Sequence, residues 1–339
     1  MTRIWFNRWF SVAYHYMNMI RNNADQAPFM LFGTHPDPQH MSLQAADYSE
    51  AEPVLEAEAY VEYALDFCKR HSIDIFIPRL HMYEIAQHAD RFDAIGTKVM
   101  VCRDTELLQA IMEKDKMYAL IQQTDDVVTI PDYEVVNTAE QFKQAYERIT
   151  AKGHRVCFKP TNSEGGMGFR IIHDKPQSLQ DLYGWVTLKM TFDEAYHILA
   201  TVPSFDDIMV MELLEDDEYS IDCLASETGE LITAIPRKKS SRRLYEIDDM
   251  PELYQIAERM AERYKIPYAY NIQVKYNKGI PKLLEINPRM SGGLYITCLT
   301  GVNIPYLAVR AVMGQQVDKP EPQYGIRAGY VEDPILITS

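Results

Sequence analysis

The sequence predicts an α/β protein built from more than one domain, and three observations carry that reading. Strand-like and helix-like runs alternate through roughly the first 110 residues, the pattern of a parallel sheet joined by helical crossovers. At 339 residues the chain is longer than one core usually serves. From Asn271 to Gly293 a hairpin pattern, N-I-Q-V-K-Y-N-K-G-I-P-K-L-L-E-I-N-P-R-M-S-G-G, sets oxygen-bearing side chains at alternate positions.

Composition excludes several classes of function. The formal charge of −15 argues against nucleic acid or an anionic membrane as partner, since both need a basic surface to displace counterions. Cys68, Cys102, Cys157, Cys223 and Cys298 are scattered, without a C-x-x-C pair, and read as buried thiols of a reducing cytoplasm. No run of 18 apolar residues occurs, and the opening M-T-R-I-W-F-N-R-W-F carries charges and no cleavage pattern, so a cytoplasmic location is expected.

Taken in order, the runs are R-I-W-F, a helix from about Val12, F-M-L-F-G, a helix around 55–71, I-D-I-F-I-P and T-K-V-M-V. The first βα turn has Asn7 and Arg8 where a dinucleotide fingerprint would place glycines, so this domain is expected to support rather than to bind a cofactor. His81 and His88, seven apart on an expected helix, would share a face but lack a third metal ligand. An amphipathic helix then offers Lys114 and Lys116 in its first turns, where cations oppose the helix dipole; an anionic ligand or simple solubility would account for them.

After another helix near 139–150, R-V-C-F-K-P-T-N-S-E-G-G-M-G-F-R-I-I has a strand ending at Lys159 and a loop holding Gly165, Gly166 and Gly168. Glycines let backbone N–H groups approach phosphate oxygens, and the lysine adds a point charge. A helix-rich insert at about 178–202 leads to I-M-V-M-E-L-L-E-D-D-E-Y-S-I-D-C-L. There a strand runs into Glu212, crosses Leu213 and Leu214, and resumes after Glu218. A chain changing sheets at that point would leave backbone at 213 and 214 to pair with a base edge; an acidic surface loop is the plainer alternative. Arg237, Lys238, Lys239, Arg242 and Arg243 then gather in an acidic chain, as a flap over anions or as a solvated turn.

In the hairpin, a turn that keeps Gln273 opposite Glu285 would place Asn271, Gln273, Glu285 and Asn287 on one face, with cross-strand Cβ atoms roughly 5 Å apart. Such oxygens suit a hard cation such as Mg²⁺, and a one-residue slip would undo the arrangement.

Lys116, Lys159 with its glycine loop, the Glu212–Glu218 crossover and the E-I-N-P-R hairpin resemble, in order and spacing, the ATP-grasp superfamily. The likeness is strongest to the branch of carbamoyl-phosphate synthase large chains and L-amino-acid ligases. It implies two α+β lobes clasping ATP, preceded by a Rossmann-like N-terminal domain: residues 1–112, a small lobe at 113–210 with the glycine-rich loop, and a large lobe at 211–339. It further implies that Lys116 and Lys159 hold ATP phosphates under a loop from Ser163 through Gly165 and Gly166 to Gly168. Glu212, Leu213 and Leu214 would meet adenine and Glu218 the ribose. Gln273, Glu285 and Asn287 would ligate Mg²⁺, two ions with Mn²⁺ as a substitute, while Arg289 and Arg237 would face the reacting groups. Asp216 and Asp217 depart from the P-G pair of many relatives, and the flap is unusually rich in arginine.

The implied activity is an ATP-dependent ligase joining a small carboxylate, such as an amino acid, to an amine through an acyl phosphate. The expected partners are those small molecules, with neither nucleic acid nor membrane, and a homodimer is allowed. A phosphotransferase on the same scaffold and a non-catalytic ATP-binding regulator are the competing expectations.

Overall fold

The computed structural model describes all residues except 124–126, 163–165, 176–177, 180–182, 185, 242, 333 and 335–339. Three of the residues singled out above, Ser163, Gly165 and Arg242, therefore lie outside the described residues. The chain separates into two compact units: Met1–Met112 with Asp217–Val274 and Glu285–Ser339, and Glu113–Asp216 with Lys275–Leu284.

The first unit opens with five strands, β1 (Thr2–Asn7), β2 (Phe29–His35), β3 (Tyr48–Ala51), β4 (Ile75–Ile77) and β5 (Lys98–Val99), in the order β3-β2-β1-β4-β5. Every pairing is parallel. A parallel sheet must be covered on both faces, and the two-residue period of β1 shows how that is met. Trp5 faces one cluster, stacked at 4.1 Å on Phe76 and 4.3 Å on Phe67 of the helix Ala57–His71. Ile4 and Phe6 face the other, packed with Tyr16, Met17 and Ile20 of the helix Ala13–Arg21 and with the helix Ile304–Val312. Each such fully buried apolar side chain contributes about 1.5–3 kcal/mol relative to its exposed state.

The turn after β1 is filled by its own chain. Asn7 donates to Tyr60 Oη at 2.7 Å and accepts from the Arg79 amide at 2.7 Å, while Arg8, at φ +39°, pairs with Glu52 at 2.8 Å. The two histidines do not share a helical face. His81 adopts a left-handed conformation ahead of a short helix, Met82–Gln87, and His88 marks the break before a second, Ala89–Asp93. His81 lies 3.2 Å from the Leu55 carbonyl and His88 3.1 Å from Glu58, so each has a separate partner.

A six-stranded sheet contains β11 (Glu218–Ala225), β12 (Leu231–Ser241), β13 (Leu244–Ile247), β14 (Ala269–Asn277), β15 (Ile280–Asn287) and β16 (Ile326–Gly329), ordered β15-β14-β11-β12-β13-β16; all of it belongs to this unit except the hairpin tip, Lys275–Leu284. Lys278 and Gly279, both at positive φ, make the two-residue turn of the β14–β15 hairpin. The helix Pro251–Tyr264 starts on proline at its first position, where a missing N–H costs nothing, and buries Leu253, Ile256, Ala257 and Met260.

The second unit is built on β6 (Tyr133–Val136), β7 (Val156–Pro160), β8 (Arg170–Ile172), β9 (Lys189–Met190) and β10 (Ile208–Glu212), ordered β6-β10-β7-β8-β9. The helix Ala139–Ala151, capped by Thr138, lays Phe142, Ala145 and Ile149 on it. The expected amphipathic helix runs Lys114–Gln122, and its buried Tyr118 donates to the Leu283 carbonyl at 3.0 Å. The chain leaves this sheet after Glu212 and enters the other at Glu218, the change of sheet inferred from the acidic crossover. No helix among the described residues is long and apolar enough to cross a membrane.

Candidate active site

A cavity of about 820 Å³ opens in the first unit, and Glu218, Arg237 and Gln273 all line it together with Ser291, Gly292 and Gly293. Arg237 forms part of its floor. Although arginine is almost never fully buried without a partner, this one is 4% exposed. Its Nε donates to Thr297 Oγ1 at 2.9 Å, and its Nη2 lies 3.3 Å from Asp222 Oδ2 and 3.4 Å from Ser291 Oγ.

Asp222, 1% exposed, collects four donors on two oxygens. Ser291 Oγ donates at 2.6 Å and Asn271 Nδ2 at 3.0 Å to Oδ1, while Thr297 Oγ1 donates at 2.5 Å to Oδ2 beside Arg237. Strand register explains the pairing: Ser220 stands opposite Arg237 and Asp222 is two residues along, so acid and base are diagonal neighbours on one face. Asn271 is fully buried and commits its Nδ2 to Asp222. Tyr16 donates to the Ser291 carbonyl from below, and burial pushes its phenol well above the ordinary value. Gly293 has to be small, because a Cβ there would come within 2.5 Å of Arg237 Nη2.

The end of β15 and Arg289 just after it form a second polar group. Asn287 Nδ2 donates to Glu285 Oε1 at 3.0 Å, Arg289 Nη2 donates to Asn287 Oδ1 at 3.2 Å, and the Arg289 guanidinium lies 5.5 Å from the Phe10 ring centroid. Of the basic run, Lys238 pairs with Asp217 at 2.7 Å and Lys239 approaches Glu218 at 3.9 Å, so Arg237 alone of the three is buried.

The second unit holds Lys116, Lys159, Gly166, Gly168, Glu212, Leu213 and Leu214. Lys116 is 46% exposed along its side chain and pairs with Glu113 at 2.8 Å. Lys159 is buried on β7, opposite Met209 of β10. Gly166 and Gly168 have φ near +79° and +72°, and a Cβ on Gly168 would strike Pro160 at 2.6 Å, so this loop tolerates only glycine there. Glu212 is fully buried: Lys282 Nζ lies 2.6 Å from one oxygen and Asn277 Nδ2 2.5 Å from the other. Burial alone would push this carboxyl up, but the bonds from Lys282, Asn277 and the Asp132 amide prevail and hold it below the ordinary carboxylate range. Asp132 and His154 complete a cluster with Glu212, the one group of three acidic, histidine or cysteine ligand atoms within 4.8 Å among the described residues. Lys282 and Lys152 already neutralise its carboxylates. The Leu213 amide donates to the Arg155 carbonyl at 2.8 Å.

Residues 204–334 match a protein-family model described as ATP-grasp in the biosynthetic pathway with Ter operon. The architecture agrees over almost the full length. A solved ADP complex of N5-carboxyaminoimidazole ribonucleotide synthetase superposes with a TM-score of 0.68 over 95% of this chain and 79% of that one, at 12% identity. The chain has the ATP-grasp fold. The biotin carboxylase domain dimer of Hydrogenobacter thermophilus 2-oxoglutarate carboxylase, solved with MgADP, ADP and bicarbonate, shares the ATP-grasp fold at a TM-score of 0.64 and 12% identity, covering 96% of this chain and 73% of that one. Among curated sequences, the carbamoyl phosphate synthase large chain of Gemmatimonas aurantiaca is 23% identical over 193 residues, 52% of this chain. This chain spans only 16% of that relative's length.

Asp222, Thr297 and Tyr16 were not legible as site residues. A lone acid in the apolar run Y-S-I-D-C-L is the only signal, and it acquires meaning once the register sets it diagonal to Arg237.

Proposed function

We propose that this protein is an ATP-dependent carboxylate–amine ligase that works through an acyl phosphate and releases ADP and phosphate. The observation that carries the reading is the buried Arg237, fixed by Asp222, Thr297 and Ser291 at the floor of a cavity that also presents Gly292, Gly293, Glu218 and Gln273. A guanidinium locked in place, beside glycines that admit close approach, is a preorganised anion site that loses little entropy on binding.

In this reading Arg237 orients the substrate carboxylate, and Arg289 faces the phosphoryl group in transfer. Lys116 and Lys159, with the loop from Ser163 through Gly165 and Gly166 to Gly168, hold the ATP phosphates. Glu218 takes the ribose, and Leu214 offers its amide to adenine, the Leu213 amide being committed to Arg155. Glu212 holds that crossover in place through Lys282 and Asn277. Gln273, Glu285 and Asn287 would hold Mg²⁺: one carboxylate and two amide oxygens are the hard donors such an ion takes, with positions left for water and phosphate. Bound there, one or two Mg²⁺ ions would neutralise phosphate charge so that an anionic carboxylate can reach the γ-phosphorus. A carboxylate oxygen attacks that phosphorus and ADP leaves. The amine then attacks the acyl carbon, and phosphate departs with the acid's oxygen.

A screen of small carboxylates with MgATP and hydroxylamine tests the proposal. Hydroxamate formed in step with ADP supports it. ADP with a phosphorylated product and no hydroxamate makes the protein a phosphotransferase, and no ADP from any acid or amine makes it a regulator. A homodimer, the state named for the 2-oxoglutarate carboxylase neighbour, is proposed on that likeness and is read by light scattering.

A further inference from the structure

The largest rings of the core, such as Trp5, Trp9, Tyr16 and Tyr60, are fully buried and closed to any ligand. Around the cavity the opposite holds. Tyr14, Tyr245, Tyr295 and Tyr330 are half-buried and His15 is open, so each ring offers a face or edge to the space above Arg237. They are ordered among themselves. His15 and Tyr295 stack at 4.3 Å with their planes 14° apart, Tyr330 meets Tyr295 edge-on at 6.5 Å, and Tyr245 lies 5.1 Å from the Arg237 guanidinium. Partial desolvation holds His15 below its ordinary value, so at neutral pH it stacks as an uncharged plate.

Such a wall has a definite preference. Rings with exposed π faces attract another planar ring by stacking or edge contact beyond what area alone provides, whereas saturated chains gain only the area term. The space is at the large end of small-molecule sites, and in the ligase reading Glu218 and Gln273 are given to nucleotide and Mg²⁺, which leaves the aromatic lining for the acid. Lys239 pairs with Glu218 and Glu332 with Arg243, while Arg237 has Asp222 as its counter-charge on the floor. We infer that the carboxylate substrate bears a planar ring, its carboxylate at Arg237 and its ring against the Tyr295–His15 stack.

This inference rests on the ligase reading for the word substrate, but its test needs no turnover. The full chain is titrated by ligand-observed NMR with two matched pairs, 3-phenylpropionate against 3-cyclohexylpropionate and L-phenylalanine against 3-cyclohexyl-L-alanine. At least one planar acid binds about 3- to 10-fold more tightly than its saturated partner, the range that aromatic pairing supplies. Tyr295→Leu abolishes the preference and Tyr295→Phe keeps it. Should Tyr295→Leu fail to fold by circular dichroism, His15→Leu, which removes the other plate, decides. Equal affinities within both pairs, a preference that survives loss of the stack, or no binding of any probe overturns the inference. Ring preference without ADP release from any acid refutes the ligase reading alone; hydroxamate formation without ring preference refutes the inference alone.

Discussion

Replacing Asp222 with asparagine tests the floor of the site most sharply, because the change is nearly isosteric and the cost comes from charge and hydrogen-bond polarity. Four donors converge on the two carboxylate oxygens: Ser291 and Asn271 on one, Thr297 and Arg237 on the other. An asparagine has one acceptor oxygen and one NH₂, so whichever way it turns, the NH₂ faces either the Asn271 amide or the Arg237 guanidinium, donors that cannot reverse, and a hydroxyl must turn to accept. The 4%-exposed Arg237 also loses its counter-charge. Removing one partner of a buried pair costs about 3–5 kcal/mol, since the remaining charge is left uncompensated. At about 2–4 °C per kcal/mol for a domain of 150–250 residues, that is a fall of about 6–20 °C in Tm. Urea and thermal unfolding of Asp222→Asn, Arg237→Met and the double variant measure it, and the double variant should recover part of the loss made by Asp222→Asn. A single variant within about 1 kcal/mol of wild type, or costs that merely add, would show that the pair is not coupled and that Arg237 owes its position to something else.

Further outcomes follow from the same geometry. Glu285→Ala should lower ADP release by at least about 100-fold with the fold intact by circular dichroism, given the loss of the one carboxylate in the proposed donor set; unchanged turnover removes Glu285 from the metal site. Gly293→Ala, whose Cβ would come within 2.5 Å of Arg237 Nη2, should raise the KM for the acid about 10-fold or more while leaving that for ATP near its wild-type value; equal changes in both argue for general damage. Gly168→Ala is strained by its positive φ and by Pro160 at 2.6 Å, and should instead weaken ATP use. Glu212 titrates below its ordinary value in the folded protein, so its contribution to stability is complete above the unfolded carboxylate pKa and is lost as pH falls through the depressed one. Glu212→Gln should therefore flatten the acid limb of a stability–pH profile below about pH 4.5; an unchanged limb assigns it to other carboxylates.

How much of this could be read from the chain varies with the range over which each signal acts. The parallel sheet was legible because the alternation in R-I-W-F sends Trp5 to one side and Ile4 and Phe6 to the other, a local pattern that survives folding. The hairpin turn was legible because N-K-G, with Asn and Gly between two strand patterns, is turn-like, and the structure puts Lys278 and Gly279 there at positive φ. The helix shared by His81 and His88 was misread, since seven-residue spacing says nothing of the left-handed His81 or of the break at His88. Arg237 was visible as a cation in a basic run, but its burial was not: a strand edge and a pocket floor look alike until Asp222 is set beside it by register. The aromatic wall was least legible. Tyr14, His15, Tyr245, Tyr295 and Tyr330 come from four distant segments, and only tertiary packing makes them one surface.

The most direct test of the ligase account follows an oxygen atom. The acid that responds in the hydroxylamine screen is labelled with ¹⁸O in its carboxylate and incubated with MgATP and an amine, and the released phosphate is analysed by mass spectrometry. An acyl phosphate predicts one ¹⁸O in each phosphate formed with the amide. Phosphate without label, formed while all ¹⁸O stays in the organic product, would contradict it.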